Sequence, residues 1–197
     1  MSLYSVGKVF VKAYFKFFYR LEVIGDEHFA AIPDDQGILL CSNHVSSYDP
    51  PAVGCACPRE LSFMAKAELF KIPLFKQLIT KLNAFPIKRG ESDRASLRTA
   101  IQILNQGKTL IMFPEGHRTK DGTIGEAKPG AGFLALRTNA VIMPVAVIGS
   151  YQLFRKTKIA IGAPIDLTEV KENKGKALDV SNLIMARIKE LYDKYKD

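Results

Sequence analysis

Ile38-Leu39-Leu40-Cys41-Ser42-Asn43-His44-Val45-Ser46-Ser47-Tyr48-Asp49-Pro50-Pro51 runs from an apolar stretch through a polar turn to a proline pair. The four apolar residues have the length and character of a buried strand. Beyond the prolines, Ala52-Val53-Gly54-Cys55-Ala56 opens a helix with Pro51 in its first turn, where proline lacks no needed donor. His44 and Asp49 therefore fall in a strand-to-helix turn. On a regular helix, five residues would set them about 140° apart, but a turn can fold the carboxylate back onto the ring. A carboxylate on one imidazole nitrogen fixes the tautomer and leaves the other nitrogen to take a proton. Alone, the pair reads more readily as an ordinary turn or capping aspartate near a chance histidine than as a catalytic pair.

Working outward, strands and helices alternate. Arg20–Ile24, Leu61–Ala65, Ala84–Gly90, Thr109–Phe113, Val141–Ile148 and Lys158–Ile161 read as strands. Glu68–Leu82 reads as helix broken at Pro73, with lysines interleaved among Phe70, Ile72, Leu74 and Phe75; it faces either a membrane or the core. Ser92 is expected to cap a helix running to Asn105 and closed by Gly107, and further helices are expected over 131–138 and 178–195. The alternation argues an α/β fold. No internal repeat or interdomain linker interrupts it, and 197 residues suit one domain with a substantial core.

Composition narrows the partners. The chain is 47% hydrophobic and 24% charged, which excludes a disordered polymer. Lysine and arginine number 28 against 20 acids, for a net charge of +8 and a pI near 9.4, so the surface favours anionic partners. No helix-turn-helix, RNP or zinc pattern supports nucleic acid. The three cysteines, Cys41, Cys55 and Cys57, are odd in number, lack C-x2-C spacing, and follow no signal peptide with a cleavage site; free thiols in a reducing compartment are expected, and no metal.

Residues 1–20 stand apart. Lys8, Lys12, Lys16 and Arg20 recur every four residues, with Val6, Phe10, Tyr14 and Phe17 on the other side of a helix and no acid before Glu22. The lysines deny a spanning segment. A basic stripe beside aromatics suits a helix lying in a membrane interface, against the plainer alternative of an amphipathic helix packed on its own domain. The expected division is a membrane-interface helix over 1–20 and the α/β domain over 21–197.

Three polar clusters end strands: His44/Asp49, Lys88-Arg89-Gly90 and Glu115-Gly116-His117-Arg118. Ligands collect at the carboxyl ends of strands in open α/β sheets. With Phe85-Pro86-Ile87-Lys88-Arg89-Gly90, Phe113-Pro114-Glu115-Gly116-His117-Arg118-Thr119 and Val141-Ile142-Met143-Pro144-Val145, the Asn43–Pro50 stretch makes four blocks in order. This set resembles the bacterial glycerolipid acyltransferases, the 1-acyl-sn-glycerol-3-phosphate acyltransferase family. The family commonly has threonine or serine where this chain has His117.

The resemblance implies a single α/β domain with a mixed central sheet flanked by helices, preceded here by the N-terminal amphipathic helix. It implies an O-acyltransferase moving a fatty acyl group from acyl-CoA or acyl carrier protein to the sn-2 hydroxyl of lysophosphatidic acid, with phosphatidic acid as product. His44 would be general base and Asp49 its orienting carboxylate. Lys88, Arg89, Gly90, Glu115, Gly116 and Arg118 would bind the acceptor, with Arg89 chiefly on its phosphate, and Pro144 would shape the site. No cofactor is implied, and the protein is expected peripherally at the cytoplasmic face of an anionic membrane. Acylation of glycerol 3-phosphate or another lysophospholipid, and a non-catalytic membrane-binding module, remain alternatives.

Overall fold

A computed structural model describes residues 3–87, 93–119 and 123–196. Its centre is a seven-stranded sheet built from β1 (Glu22–Ile24), β2 (Ile38–Ser42), β3 (Leu61–Lys66), β4 (Ala84–Ile87), β5 (Thr109–Met112), β6 (Val141–Ile148) and β7 (Lys158–Ile161), ordered β1-β7-β6-β2-β5-β3-β4. Only the β6–β7 pair is antiparallel, so the sheet is mixed, as expected. β2 lies between β5 and β6, both parallel to it, and all five of its residues are buried. A strand covered on both faces needs apolar residues without alternation, which is why Ile38–Cys41 reads as one apolar run.

The period of two sorts the same strands into two cores. Ile38, Leu40, Met143, Val145 and Val147 join one cluster with α1 (Leu3–Phe18) and α2 (Asp49–Ala56). Leu39, Cys41, Ile142, Ala146 and Ile148 join the other, beneath α4 (Arg94–Asn105), α5 (Gly130–Arg137) and α7 (Ala177–Tyr195). The chain leaves β2 through α2 on the first face and returns from β5 to β6 through α5 on the second. That reversal opens a crevice at the carboxyl end of β2, where open α/β sheets bind ligands.

α1 belongs to the first core. Phe15 and Tyr19 are buried, and Phe18 and Tyr19 carbonyls accept hydrogen bonds from Phe154 (2.6 Å) and Thr157 (3.0 Å). Lys8 also turns inward, its Nζ donating to the Cys57 carbonyl at the end of α2. The outer side carries Phe10 (71% exposed) and Phe17 (68% exposed), with Val6, Val9 and Tyr14 also exposed. Lys12, Lys16 and Arg20 stay exposed. Among the described residues no helix is long and apolar enough to cross a membrane. Between β3 and β4, a short 3-10 turn (Ala67–Lys71) leads through the exposed Ile72 into α3 (Pro73–Lys81), which buries Ile79 and exposes Leu74 and Leu78. The segment thus turns both apolar residues and lysines outward, while Phe75, Leu78 and Ile79 line an inner apolar cavity.

Other departures are local. Arg20 has a left-handed φ of 45°, so β1 starts only at Glu22. Asp93, rather than the expected Ser92, caps α4 by accepting from the Ser96 amide at 3.0 Å; Ser92 lies outside the described residues. Gly107 closes α4 at φ +74°, where a Cβ would strike the Asp35 carbonyl. The five-residue α6 (Thr168–Glu172) has no buried residue and hence no periodic signal in the sequence. All three cysteines are free and buried.

Candidate active site

The turn after β2 closes around one carboxylate oxygen. Asp49, the first residue of α2, accepts at Oδ2 from the Val45 and Ser46 backbone amides, both at 2.8 Å, and from His44 Nδ1 at 2.7 Å. Three donors compensate a carboxylate that is fully buried. With an acceptor on Nδ1, that nitrogen carries the ring proton and Nε2 keeps its lone pair. Phe113 stacks on the imidazole, with centroids 3.9 Å apart and planes 16° from parallel. The ring's plane and tautomer are therefore both set.

Strand register explains why residues 71 positions apart meet. Cys41 pairs with Met112, so the third residue beyond each, His44 and Glu115, emerge side by side. Glu115 Oε1 accepts from the His44 amide at 3.2 Å, and the Thr119 amide donates to the His44 carbonyl at 2.9 Å. Burial pushes the Glu115 carboxyl above its ordinary value, opposed by that His44 amide and the nearby His117. Gly116 follows at φ +70°, with the Lys128 side chain packed where a Cβ would point. On the other flank, Asn43 Oδ1 accepts from the Val147 amide (2.8 Å) while its Nδ2 donates to the Val147 carbonyl (2.9 Å). His44 is thus clamped to both neighbouring strands.

A cavity of about 300 Å³ opens beside this turn, and His44, Gly116 and Arg118 all line it. The Arg118 guanidinium donates to Ser47 Oγ, which also borders the cavity. A second, apolar cavity of about 490 Å³ lies between α1 and α3 and shares Pro50, Phe63, Ala65 and Leu69 with the first. Cys55 sits on its wall, and burial pushes that thiol up to about 11.

The structure brings His44, Asp49, Glu115, Gly116 and Arg118 together, but in different positions. Glu115, expected to bind acceptor, is fully buried beneath His44 and is not among the residues lining either cavity. Pro144, expected to shape the site, faces the other side of the sheet, packing near Gly162 and Leu191 below α7. His117 turns back, its Nδ1 donating to the Glu115 carbonyl at 2.9 Å. Lys88, Arg89 and Gly90 lie outside the described residues; Ile87, directly before them, lines the smaller cavity and pairs with Lys66.

Lys66 itself lines that cavity and was missed, although it ends a strand whose neighbours on the sheet all end in polar clusters. Phe113 and Tyr151 were missed as well. Phe113 reads as the last apolar residue of a strand, and Tyr151 stands beyond β6 with no spacing to mark it.

The acyltransferase family model matches residues 20–148, which hold every one of these groups except Tyr151. The chain belongs to the acyltransferase family. Its class as an O-acyltransferase enzyme stands with that membership. A protein named 1-acyl-sn-glycerol-3-phosphate acyltransferase from Bacillus subtilis is 29% identical over 171 residues, covering 83% of this chain and 85% of its own. A protein of the same name from Streptococcus pneumoniae is 29% identical over 82% of this chain and 63% of its own length. The crystal structure of the 1-acyl-sn-glycerophosphate (LPA) acyltransferase PlsC from Thermotoga maritima superposes with a TM-score of 0.78 at 26% identity, covering 98% of this chain and 80% of that one.

Proposed function

We propose that this acyltransferase moves a fatty acyl group from a soluble thioester, acyl-CoA or acyl carrier protein, to the sn-2 hydroxyl of 1-acyl-glycerol 3-phosphate. The observation that carries the reading is the oriented His44–Asp49 pair, 2.7 Å apart, on a cavity that also holds Arg118 and Lys66 and adjoins an apolar cavity. The names of the Bacillus, Streptococcus and Thermotoga proteins support the same substrate.

In this reading His44 Nε2 takes the proton of the acceptor hydroxyl as its oxygen attacks the thioester carbonyl. Asp49 stabilises the imidazolium that forms. The tetrahedral intermediate collapses by breaking the carbon–sulfur bond, and His44 returns the proton to the departing thiolate, giving ester and free thiol. Direct transfer is supported by the serine contacts: among the described residues Ser46 Oγ accepts from the Tyr48 amide and Ser47 Oγ from Arg118, and the bond recorded for the His44 ring is to Asp49 rather than to either hydroxyl. Arg118, Lys66 and the Lys88, Arg89 and Gly90 of the sequence motif would hold the acceptor phosphate, the arginines by their planar fork. The apolar cavity suits an acyl chain.

The protein would act at a membrane surface without spanning it. Phe17 meets Phe154 at 6.4 Å between ring centroids, and with Leu153 they form an exposed apolar patch beside Lys16. Aromatic insertion plus roughly 1 kcal/mol for each basic residue near an anionic surface suits peripheral docking. The test is a matrix of donors against acceptors, followed by thiol release. Lysophosphatidic acid should be turned over best; equal turnover of monoacylglycerol would remove the phosphate site from the proposal, and no turnover by any pair would leave a binding module.

A further inference from the structure

Asp49 shows one oxygen with three donors and one with none. Oδ1 is buried and has no hydrogen-bond partner among the described residues. The Tyr151 hydroxyl is in the same condition. The Tyr151 ring packs on Tyr48, the residue directly before Asp49; burial pushes the phenol's pKa far up, and the Asp49 charge adds to the rise. Two complementary buried groups, a donor and an acceptor without other partners, thus share one enclosure, and leaving both unsatisfied is costly.

The tyrosine's place is built rather than incidental. It follows Gly149 at the end of β6 with a left-handed φ of 49°, a conformation that costs a bulky residue energy and persists where surroundings impose it. Its ring packs edge-on to Tyr48 (5.6 Å between centroids), Tyr19 (5.8 Å) and Phe15 (6.0 Å). Tyr48 directly precedes Asp49, so the aromatic cluster closes the back of the carboxylate against water.

We propose that Tyr151 is a positioning residue for the His44–Asp49 pair, its hydroxyl donating to Asp49 Oδ1 so that Oδ2 stays turned toward the imidazole. The step it serves is the proton transfer above, so this inference rests on the proposed function. Besides Tyr151, the titratable groups around the carboxylate are His44, bonded to it, Glu115, which feels its charge, and the aromatic neighbours Tyr48 and Tyr19.

The experiment compares the full-length native enzyme with His44→Ala, Tyr151→Phe, Asp49→Asn and the Asp49→Asn/Tyr151→Phe double variant, measuring kcat, KM, thermal stability and the pH–rate profile. Tyr151→Phe keeps the ring and its packing. It should lower kcat about 3- to 10-fold, the weight of a typical hydrogen bond and no more than the loss on removing the Asp49 charge itself, with KM unchanged. A carboxylate that loses a donor takes a proton more readily, so the acid limb should move to higher pH. On Asp49→Asn the tyrosine change should add much less than it does alone. A Tyr151→Phe enzyme with native kcat and native pH profile, beside an inactive His44→Ala, overturns the positioning role alone. A loss that multiplies in full onto Asp49→Asn also overturns it, because the effect then does not run through the carboxylate. An active His44→Ala enzyme overturns both this inference and the proposed function. Should Tyr151→Phe fail to fold, Tyr151→difluorotyrosine, a stronger donor of nearly the same shape, should move the acid limb to lower pH; an unmoved limb counts against the role.

Discussion

Asp49→Asn separates the two things the carboxylate does. Removing the charge weakens support for the imidazolium; turning the side chain the wrong way would also offer His44 a donor and select the wrong tautomer, a change that elsewhere costs about 10⁴-fold. The geometry here forbids the second effect. The Oδ2 position faces two backbone amides, Val45 and Ser46, at 2.8 Å each. An asparagine placing its NH2 there would confront two N–H donors and leave them buried and unpaired, at roughly 1–3 kcal/mol each. Its oxygen must take that position instead, where it still accepts from His44 Nδ1. What remains is the difference between a charge-assisted and a neutral hydrogen bond, about 1–2 kcal/mol, or roughly 5- to 30-fold in kcat. Thiol release at saturating lysophosphatidic acid, at a pH on the plateau of the native profile, measures it, with KM expected to hold. His44→Ala should lose at least about 10²–10⁴-fold. An Asp49→Asn loss as deep as that of His44→Ala would refute the orientation argument, and an unaltered kcat would refute any role for the charge.

Glu115 offers a pH test of stability. Burial raises its carboxyl above the ordinary 4.5, so the protonated form favours folding: its contribution is complete below about 4.5 and is lost as pH rises through the raised value. Thermal unfolding from pH 4 to 8 should show that loss in the native chain and not in Glu115→Gln, whose amide oxygen can still accept from His44; parallel curves would exclude it. Phe15→Ala should cost about 3–5 kcal/mol in denaturant unfolding, since Phe15 is 2% exposed, while Phe10→Ser with Phe17→Ser should leave stability within about 1 kcal/mol and weaken binding to phosphatidylglycerol vesicles. Gly54→Val should shift preference toward shorter acyl chains, because Gly54 lines the apolar cavity and the nearest atom to its added Cβ, Tyr4 Oη, is 3.5 Å away; an unchanged chain-length profile would place the acyl chain elsewhere. Arg118→Ala should raise KM for the phosphorylated acceptor more than for the thioester, read from the same thiol-release assay.

The strands were legible because burial writes itself into composition. Val141–Ile148 is a central strand with both faces covered, and its one irregular residue, Pro144, does not interrupt the run. The helix positions other than α6 followed from periodicity and caps, to within a few residues. α1 was legible only by halves. Its lysine spacing marked one face and its aromatics another, but the core claims Phe15 and Tyr19 from between them and draws Lys8 inward to a carbonyl. Amphipathic spacing shows that a helix has two sides and not which surface each side meets.

The site divides along the same physical line. His44 and Asp49 lie five residues apart, so their meeting is a local matter of turn geometry, and the sequence holds most of it. Glu115 reaches His44 through the β2–β5 register, which no local spacing encodes, and its polar character suggested a ligand where the structure shows a brace for the His44 backbone. Lys66 and Tyr151 are harder still. Each enters the site from a strand end set by the order of the sheet: β3 beside β5 and β4, β6 beside β2. Sheet order is decided by which helices cover which face, a property of the whole chain. A residue brought in by sheet order alone therefore leaves no mark near itself, and the buried unpaired atom it answers, Asp49 Oδ1, becomes visible only once the fold has closed around it.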